Sequence, residues 1–124
     1  MDTSRPVVVK RVPENLTVRQ VRVFLDEIGP LLKHDRLQIV FDFSLVRTID
    51  SAGVDMLLLC ARQAARRDGE LKFAALSPQA LVMLNLTRVS RLFEIFDNTI
   101  DAVRSFSGYL PNAVRQTLQD PQVA

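Results

Sequence analysis

Cysteine is almost absent from this chain of 124 residues: Cys60 stands alone, which excludes an intrachain disulfide and suits a reducing compartment. Histidine is equally scarce, and His34 together with one cysteine cannot furnish a usual zinc ligand set. Tryptophan is missing, and seven Phe with one Tyr give little sign of a base-stacking platform. No stretch approaches the roughly 20 apolar residues of a membrane-spanning helix. The opening MDTSRPVVVKR has no apolar run of signal-peptide length and is already charged at Lys10 and Arg11. A cytoplasmic protein is expected. Nor is there a large excess of one charge. The net charge is +2, acids are interleaved with the arginines, and no basic run, Arg66-Arg67 included, exceeds two residues. A nucleic-acid binder would concentrate a larger positive excess on one face, so solvated helix surfaces explain these charges better.

What is present is ordinary globular material, 48% hydrophobic and 24% charged, in a length that suits one domain. Val7 to Val12 reads as a short β-branched strand stopped by Pro13. Thr17 and Gln20 fit a capping box, and Val18, Val21, Leu25 and Ile28 recur at helical spacing. Gly29-Pro30 is expected to end or kink that helix, with Leu31 and Leu32 in a last turn beyond it. Leu37 to Phe43 is almost continuously apolar, as in a central strand covered on both faces.

A Leu- and Ala-rich helix follows from Asp50 to Arg67, with Gly69 placed as its C′ glycine. Leu71 to Leu76 predicts another strand, and Ser77-Pro78 an N-cap and first helical residue for a helix bearing Leu81, Leu84 and Leu86. Leu92 to Phe96 predicts a final strand, and Asn98 caps a helix through Ile100, Val103 and Phe106. Residues 1–108 thus form one α/β domain, a small mixed or mostly parallel sheet with crossover helices packed on one side. Residues 109–124 form a tail in which Pro111 opens one short helix, ended at Asp120-Pro121.

The informative window is FDFSLVRTIDSAGVDMLLL, residues 41–59: strand, loop, then a helix whose first turn holds Asp50, Ser51 and Gly53. A helix N-terminus leaves N–H groups unpaired and carries partial positive charge. A serine hydroxyl there either caps the helix or accepts a phosphate that those N–H groups help accommodate. Spacing alone favours the cap. On a helical wheel, Val54, Leu57, Leu58, Ala61 and Ala65 form a sufficient core stripe, leaving Ala52, Met56, Leu59 and Gln63 near the opposite side. That second apolar face is covered either by more of the core or by a partner. Arg62, Arg66, Arg67 and Asp68 decorate the later turns, so the helix is not fully enclosed.

Enzymatic alternatives are poorly supplied. A Ser51–His34–Asp arrangement requires a convergence that nothing in the sequence imposes, and His34 beside Asp35 reads as a surface histidine in a polar turn. Asp42, Asp50 and Asp55 are oxygen donors for a hard cation in principle, yet Asp42 and Asp50 are more simply a strand-end residue and a cap. No cofactor is implied.

The run Asp42-Phe43-Ser44, then Val46, then Ile49-Asp50-Ser51-Ala52-Gly53 resembles the signature of the STAS domain, in particular the bacterial anti-anti-sigma factors. The likeness extends from about Leu37 to Phe106, with Ser77-Pro78 and Leu92-Phe93 in support. It implies a partner switch by an anti-sigma factor antagonist. The unphosphorylated domain binds an anti-sigma factor that is also a serine kinase; phosphorylation of Ser51 releases it, and a serine phosphatase resets it. Asp42, Asp50 and Gly53 are the motif positions, and Arg47, Thr48, Ala52, Met56 and Leu59 the implied partner surface. Ala52 replaces the family's usual second hydroxyl, and Val12-Pro13-Glu14-Asn15-Leu16 replaces its usual turn before the first helix. These differences motivate an alternative, a non-phosphorylated STAS subunit of a transporter or signalling assembly.

Overall fold

The computed structural model describes residues 7–108. Its elements are β1 (Val7–Arg11), β2 (Asn15–Leu16), α1 (Val18–Leu32), β3 (Gln38–Asp42), β4 (Thr48–Ile49), α2 (Ser51–Arg66), β5 (Glu70–Ala74), α3 (Pro78–Leu86), a 3-10 turn (Val89–Leu92), β6 (Ile95–Phe96) and α4 (Thr99–Ser105). The main sheet runs β1-β3-β5-β6, and every pairing in it is parallel. A two-residue parallel ladder, Asn15 to Thr48 and Leu16 to Ile49, joins β2 to β4 beside it. The α/β domain expected from the sequence, with a mixed or mostly parallel sheet, is therefore present, and its main sheet is wholly parallel. The expected tail helix lies outside the described residues.

Strand alternation divides the interior in two. Ile39, Phe41, Leu71 and Phe73 face a large core completed by Phe24, Ile28 and Leu32 of α1, Met56, Leu57 and Cys60 of α2, and Ala80 and Leu84 of α3. Val40 and Ala74 face the other way, onto Phe96 and Ala102. Helix α4 thus covers the face opposite α1 and α2, which corrects the expectation of helices on one side only. Both faces of β3 and β5 are buried, and this is why those strands read as largely apolar runs, broken in β5 only by Lys72 between Leu71 and Ala74. Phe73 is the hub of the large core: its ring stacks on Phe93 at 4.1 Å and on Phe41 at 6.3 Å, and meets Phe43 at 4.7 Å. Lys72, on the α4 face, is buried but paired. Its Nζ donates to Ser105 Oγ at 2.7 Å, lies 3.0 Å from Glu94 Oε1, and sits 4.2 Å from the Phe106 ring centre.

Several local expectations shift for identifiable reasons. Helix α1 runs through Gly29-Pro30 and ends two residues later at Leu32, so the proline, which forfeits one helical bond, stands in its last turn. Its buried stripe is Phe24, Ile28 and Leu32, while Val18 is exposed. Thr17 precedes α1 without a side-chain cap. Asp68, not Gly69, takes the left-handed position after α2, at φ 59°. Gly69 is required for another reason: a Cβ there would lie 2.6 Å from the Leu37 carbonyl oxygen. Ala75 ends β5 by turning left-handed at φ 57°, and the expected strand from Leu92 shrinks to two residues after the 3-10 turn.

Candidate functional site

Ser51 is the first residue of α2, and the chain reaches it through a tightly fastened loop. At the end of β3, Asp42 Oδ1 accepts from the Ser44 backbone N–H at 2.9 Å, starting the turn. Val46 is buried, and its carbonyl accepts from Ser77 Oγ at 2.6 Å. The same Ser77 oxygen accepts from Ala80 N at 3.1 Å, so one hydroxyl both caps α3 and ties it to the loop before Ser51. Across the β2–β4 ladder, the Arg47 backbone N–H donates to the Glu14 carbonyl at 2.7 Å, and Thr48 Oγ1 donates to Asn15 Oδ1 at 2.9 Å. The Arg47 guanidinium lies 3.4 Å from Glu14 Oε2.

Asp50 organises the centre. Its Oδ1 accepts from Gly53 N at 3.0 Å, capping α2, and its Oδ2 accepts from Val18 N at 3.2 Å, supplying the N-terminal partner for α1 that Thr17 does not. One carboxylate therefore fixes two helix starts. With Asp50 holding the cap, the Ser51 side chain is released from it. Ser51 is exposed, and among the described residues its hydroxyl has no hydrogen-bond partner. The capping role that spacing alone favoured for Ser51 therefore falls to Asp50, and the Ser51 hydroxyl stands free at a helix N-terminus. Replacing Asp50 with alanine should orphan both N–H groups and lower the unfolding free energy by about 2 kcal/mol. Asparagine, which keeps one carbonyl oxygen, should cost about half of that; urea denaturation of the two variants checks the order.

Gly53 is buried against the β2 backbone, where a Cβ would come 2.3 Å from the Leu16 carbonyl oxygen. This approach sets the rotation of α2. The buried stripe becomes Gly53, Met56, Leu57, Cys60 and Ala64, about a quarter turn from the stripe drawn on the wheel. Met56 is consequently 2% exposed, with its sulfur 3.5 Å from Cys60 Sγ, and the expectation that it docks a partner is corrected. Burial also pushes the Cys60 thiol up to about 12, leaving it an inert core residue. Ala52 and Leu59 stay half-buried on one flank of α2, whereas Arg47 and Thr48 are exposed beside Ser51.

The sequence reading missed the neighbouring wall. Between the β4 loop and α3 lies a cavity of about 490 Å³ lined by Arg47, Thr48, Ile49, Pro78, Gln79, Val82 and Met83. Val82 is 55% exposed at its edge. The only available signal was Ser77-Pro78, which starts α3 but does not say where it packs. Glu14 and Asn15 were also missed as site residues, although the altered turn that contains them had been noted.

Other candidates do not assemble. His34 and Asp35 lie just past the C-terminal end of α1, where Asp35 meets Arg67 at 3.0 Å, at the far end of α2 from Ser51. The 16 residues of α2 separate them by about 24 Å. Among the described residues no three His, Cys, Asp or Glu side chains gather as metal ligands, and no helix is long and apolar enough to cross a membrane.

The parallel sheet, the Asp-capped helix and the serine at its first position define a small α/β domain that presents an exposed hydroxyl beside an apolar groove. A family model described as Mlab, STAS domain matches residues 2–95, and the chain belongs to the STAS domain family. Among solved structures, the crystal structure of a candidate anti-sigma factor antagonist from Thermotoga maritima shares this fold with a TM-score of 0.71. The two are 20% identical over 80% of this chain and 86% of that one. The solution structure of the same protein gives a TM-score of 0.70 at 19% identity, covering 83% of each chain. No curated protein matches the chain.

Proposed function

We propose that this STAS domain is an anti-sigma factor antagonist, cytoplasmic and without catalytic activity of its own, that binds an anti-sigma factor with serine kinase activity and is released when Ser51 is phosphorylated. A serine phosphatase restores the binding form. The observation that carries the reading is the free, exposed Ser51 hydroxyl at the start of α2, with its expected capping duty taken by Asp50. The partner surface is formed by Arg47, Thr48, Ala52 and the accessible part of Leu59, extended by the groove against Val82 and Met83.

Phosphorylation adds a charge of roughly −1.5 to −2 at a helix N-terminus, which the folded domain tolerates. In a complex the same charge sits against a partly apolar surface, so its desolvation opposes binding. A penalty of about 3 kcal/mol weakens binding roughly a hundredfold. Ser51→Asp should therefore lose about two orders of magnitude in affinity for the partner kinase, measured by calorimetry, while Ser51→Ala keeps wild-type affinity and both melt normally. Equal affinity of wild type and Ser51→Asp would count against the switch.

A second reading is favoured by the family match to a domain described as Mlab, taken with alanine at position 52: a non-phosphorylated STAS subunit held permanently in a transporter or signalling assembly. Co-purification with an ATPase subunit that persists in Ser51→Asp selects this reading over the first.

A further inference from the structure

At the end of the molecule opposite Ser51, the C-termini of α1 and α2 enclose a cleft of about 810 Å³ whose lining includes Lys33, Arg36, Arg66 and Arg67, with Asp35 and Asp68. Four bases against two acids equal the whole chain's net charge of +2, so the rest of the protein is neutral in sum. The Ser51 end carries no such excess, with Glu14, Asp42, Asp50 and Asp55 against Arg11, Arg19 and Arg47. The cleft is also held in shape. The Arg36 N–H donates to the Arg67 carbonyl at 2.7 Å, Arg67 Nη1 reaches Asp35 Oδ1 at 3.0 Å, and the Gly69 N–H donates to the Ala64 carbonyl at 2.8 Å. Arg36 and Asp68 both adopt left-handed backbone here, at φ 55° and 59°, a conformation that non-glycine residues keep only where their surroundings impose it.

Cations at helix C-termini complement the helix dipole, and that alone explains one or two of these side chains. It does not explain Lys33 and Arg66 lining one cleft without an acidic partner among the described residues while Arg67 is already paired. We infer that this cleft is a second docking site, for an acidic peptide segment of a partner protein, separate from the Ser51 surface. The two acids in the wall decide against a nucleic acid. They interrupt the basic lining, so it offers no continuous row of cations for the one-charge-per-nucleotide ladder of a nucleic acid, and no aromatic ring lines the cleft to stack a base. A domain with docking sites at both ends of α2 can hold one partner while releasing another.

The test uses the full, unphosphorylated chain, which keeps it independent of the Ser51 switch. Binding of a labelled oligoglutamate peptide is measured by fluorescence anisotropy at rising salt, with oligothymidylate and inorganic tripolyphosphate as competitors. The peptide should bind, with affinity falling as salt rises. Lys33→Gln combined with Arg66→Gln should weaken it about tenfold, and Arg47→Gln, at the far end, should leave it unchanged. Both substituted side chains are exposed, and an unchanged melting temperature verifies the fold. Absence of peptide binding at low salt, equal binding by the double variant, or equal loss in Arg47→Gln overturns the inference. Tighter binding of either phosphate competitor than of the peptide overturns it as well.

Discussion

Phe73→Ala is expected to lower the unfolding free energy by about 4 kcal/mol, the largest loss of any single truncation in this domain. Phe73 is fully buried in β5, an interior strand of the sheet, and its ring pairs with those of Phe41, Phe43 and Phe93. Removing it deletes the transfer free energy of a phenyl group and leaves a cavity whose walls are strands on either side and the segment after the 3-10 turn. Parallel strands pinned by ladder bonds cannot collapse into that space, so the cavity cost is retained. Three aromatic pairs are lost in addition, each with about 0.5–1.5 kcal/mol beyond area burial. For a domain of this size the melting temperature should fall by roughly 20 °C. Leucine at the same position fills most of the volume and should cost less than half as much. Thermal denaturation followed by circular dichroism measures both.

Gly53→Val acts through a different mechanism and reaches the site itself. The first added carbon would lie 2.3 Å from the Leu16 backbone oxygen and 3.0 Å from Ile49 Cγ2, closer than real contacts allow. The obstructing atom is backbone, held because the Leu16 carbonyl accepts from the Asp50 N–H at 3.2 Å, so no side-chain rotation relieves the clash. Helix α2 must tilt away from β2, and Asp50 then loses its simultaneous hold on Gly53 and Val18. The expected cost is about 3 kcal/mol or more. Even under conditions where the variant stays folded, the displaced Ser51 should no longer be presented to a partner. Gly53→Ala should show the same effect in weaker form, whereas Gly29→Ala, with nothing near its added carbon, should be neutral or slightly stabilising. Denaturant titration of the three variants ranks them.

These two residues also show what the sequence could and could not disclose. The strand cores were legible because β3 and β5 are buried on both faces and read as apolar runs. The starts of α2, α3 and α4 were legible because Asp50, Ser77 and Asn98 each cap a helix through an N–H only three residues away. Such signals are local. The rotation of α2 was not, since it depends on Gly53 meeting a carbonyl more than thirty residues earlier in the chain, and with that rotation Met56 moved from the expected docking face into the core. The second bond of Asp50, to Val18, is likewise long-range and replaced a capping box that Thr17 and Gln20 appeared on spacing grounds to form. The groove of α3 beside Thr48 was invisible for the same reason: Ser77-Pro78 announces a helix, and only the bond from Ser77 to the Val46 carbonyl says where that helix goes. The motif from Asp42 to Gly53 was readable because Asp42 holds a turn and Asp50 a cap through N–H groups two and three residues away, and a changed flanking turn such as Glu14-Asn15 leaves those bonds intact.

The role assigned to Ser51 is tested most directly by incubating the full chain with ATP and an anti-sigma factor that carries serine kinase activity, and locating any phosphate by mass spectrometry. One phosphate on Ser51, absent in Ser51→Ala and accompanied by loss of the complex with the kinase, is the predicted result. An unmodified protein, or phosphate on the exposed Ser44 with Ser51 untouched, would contradict it.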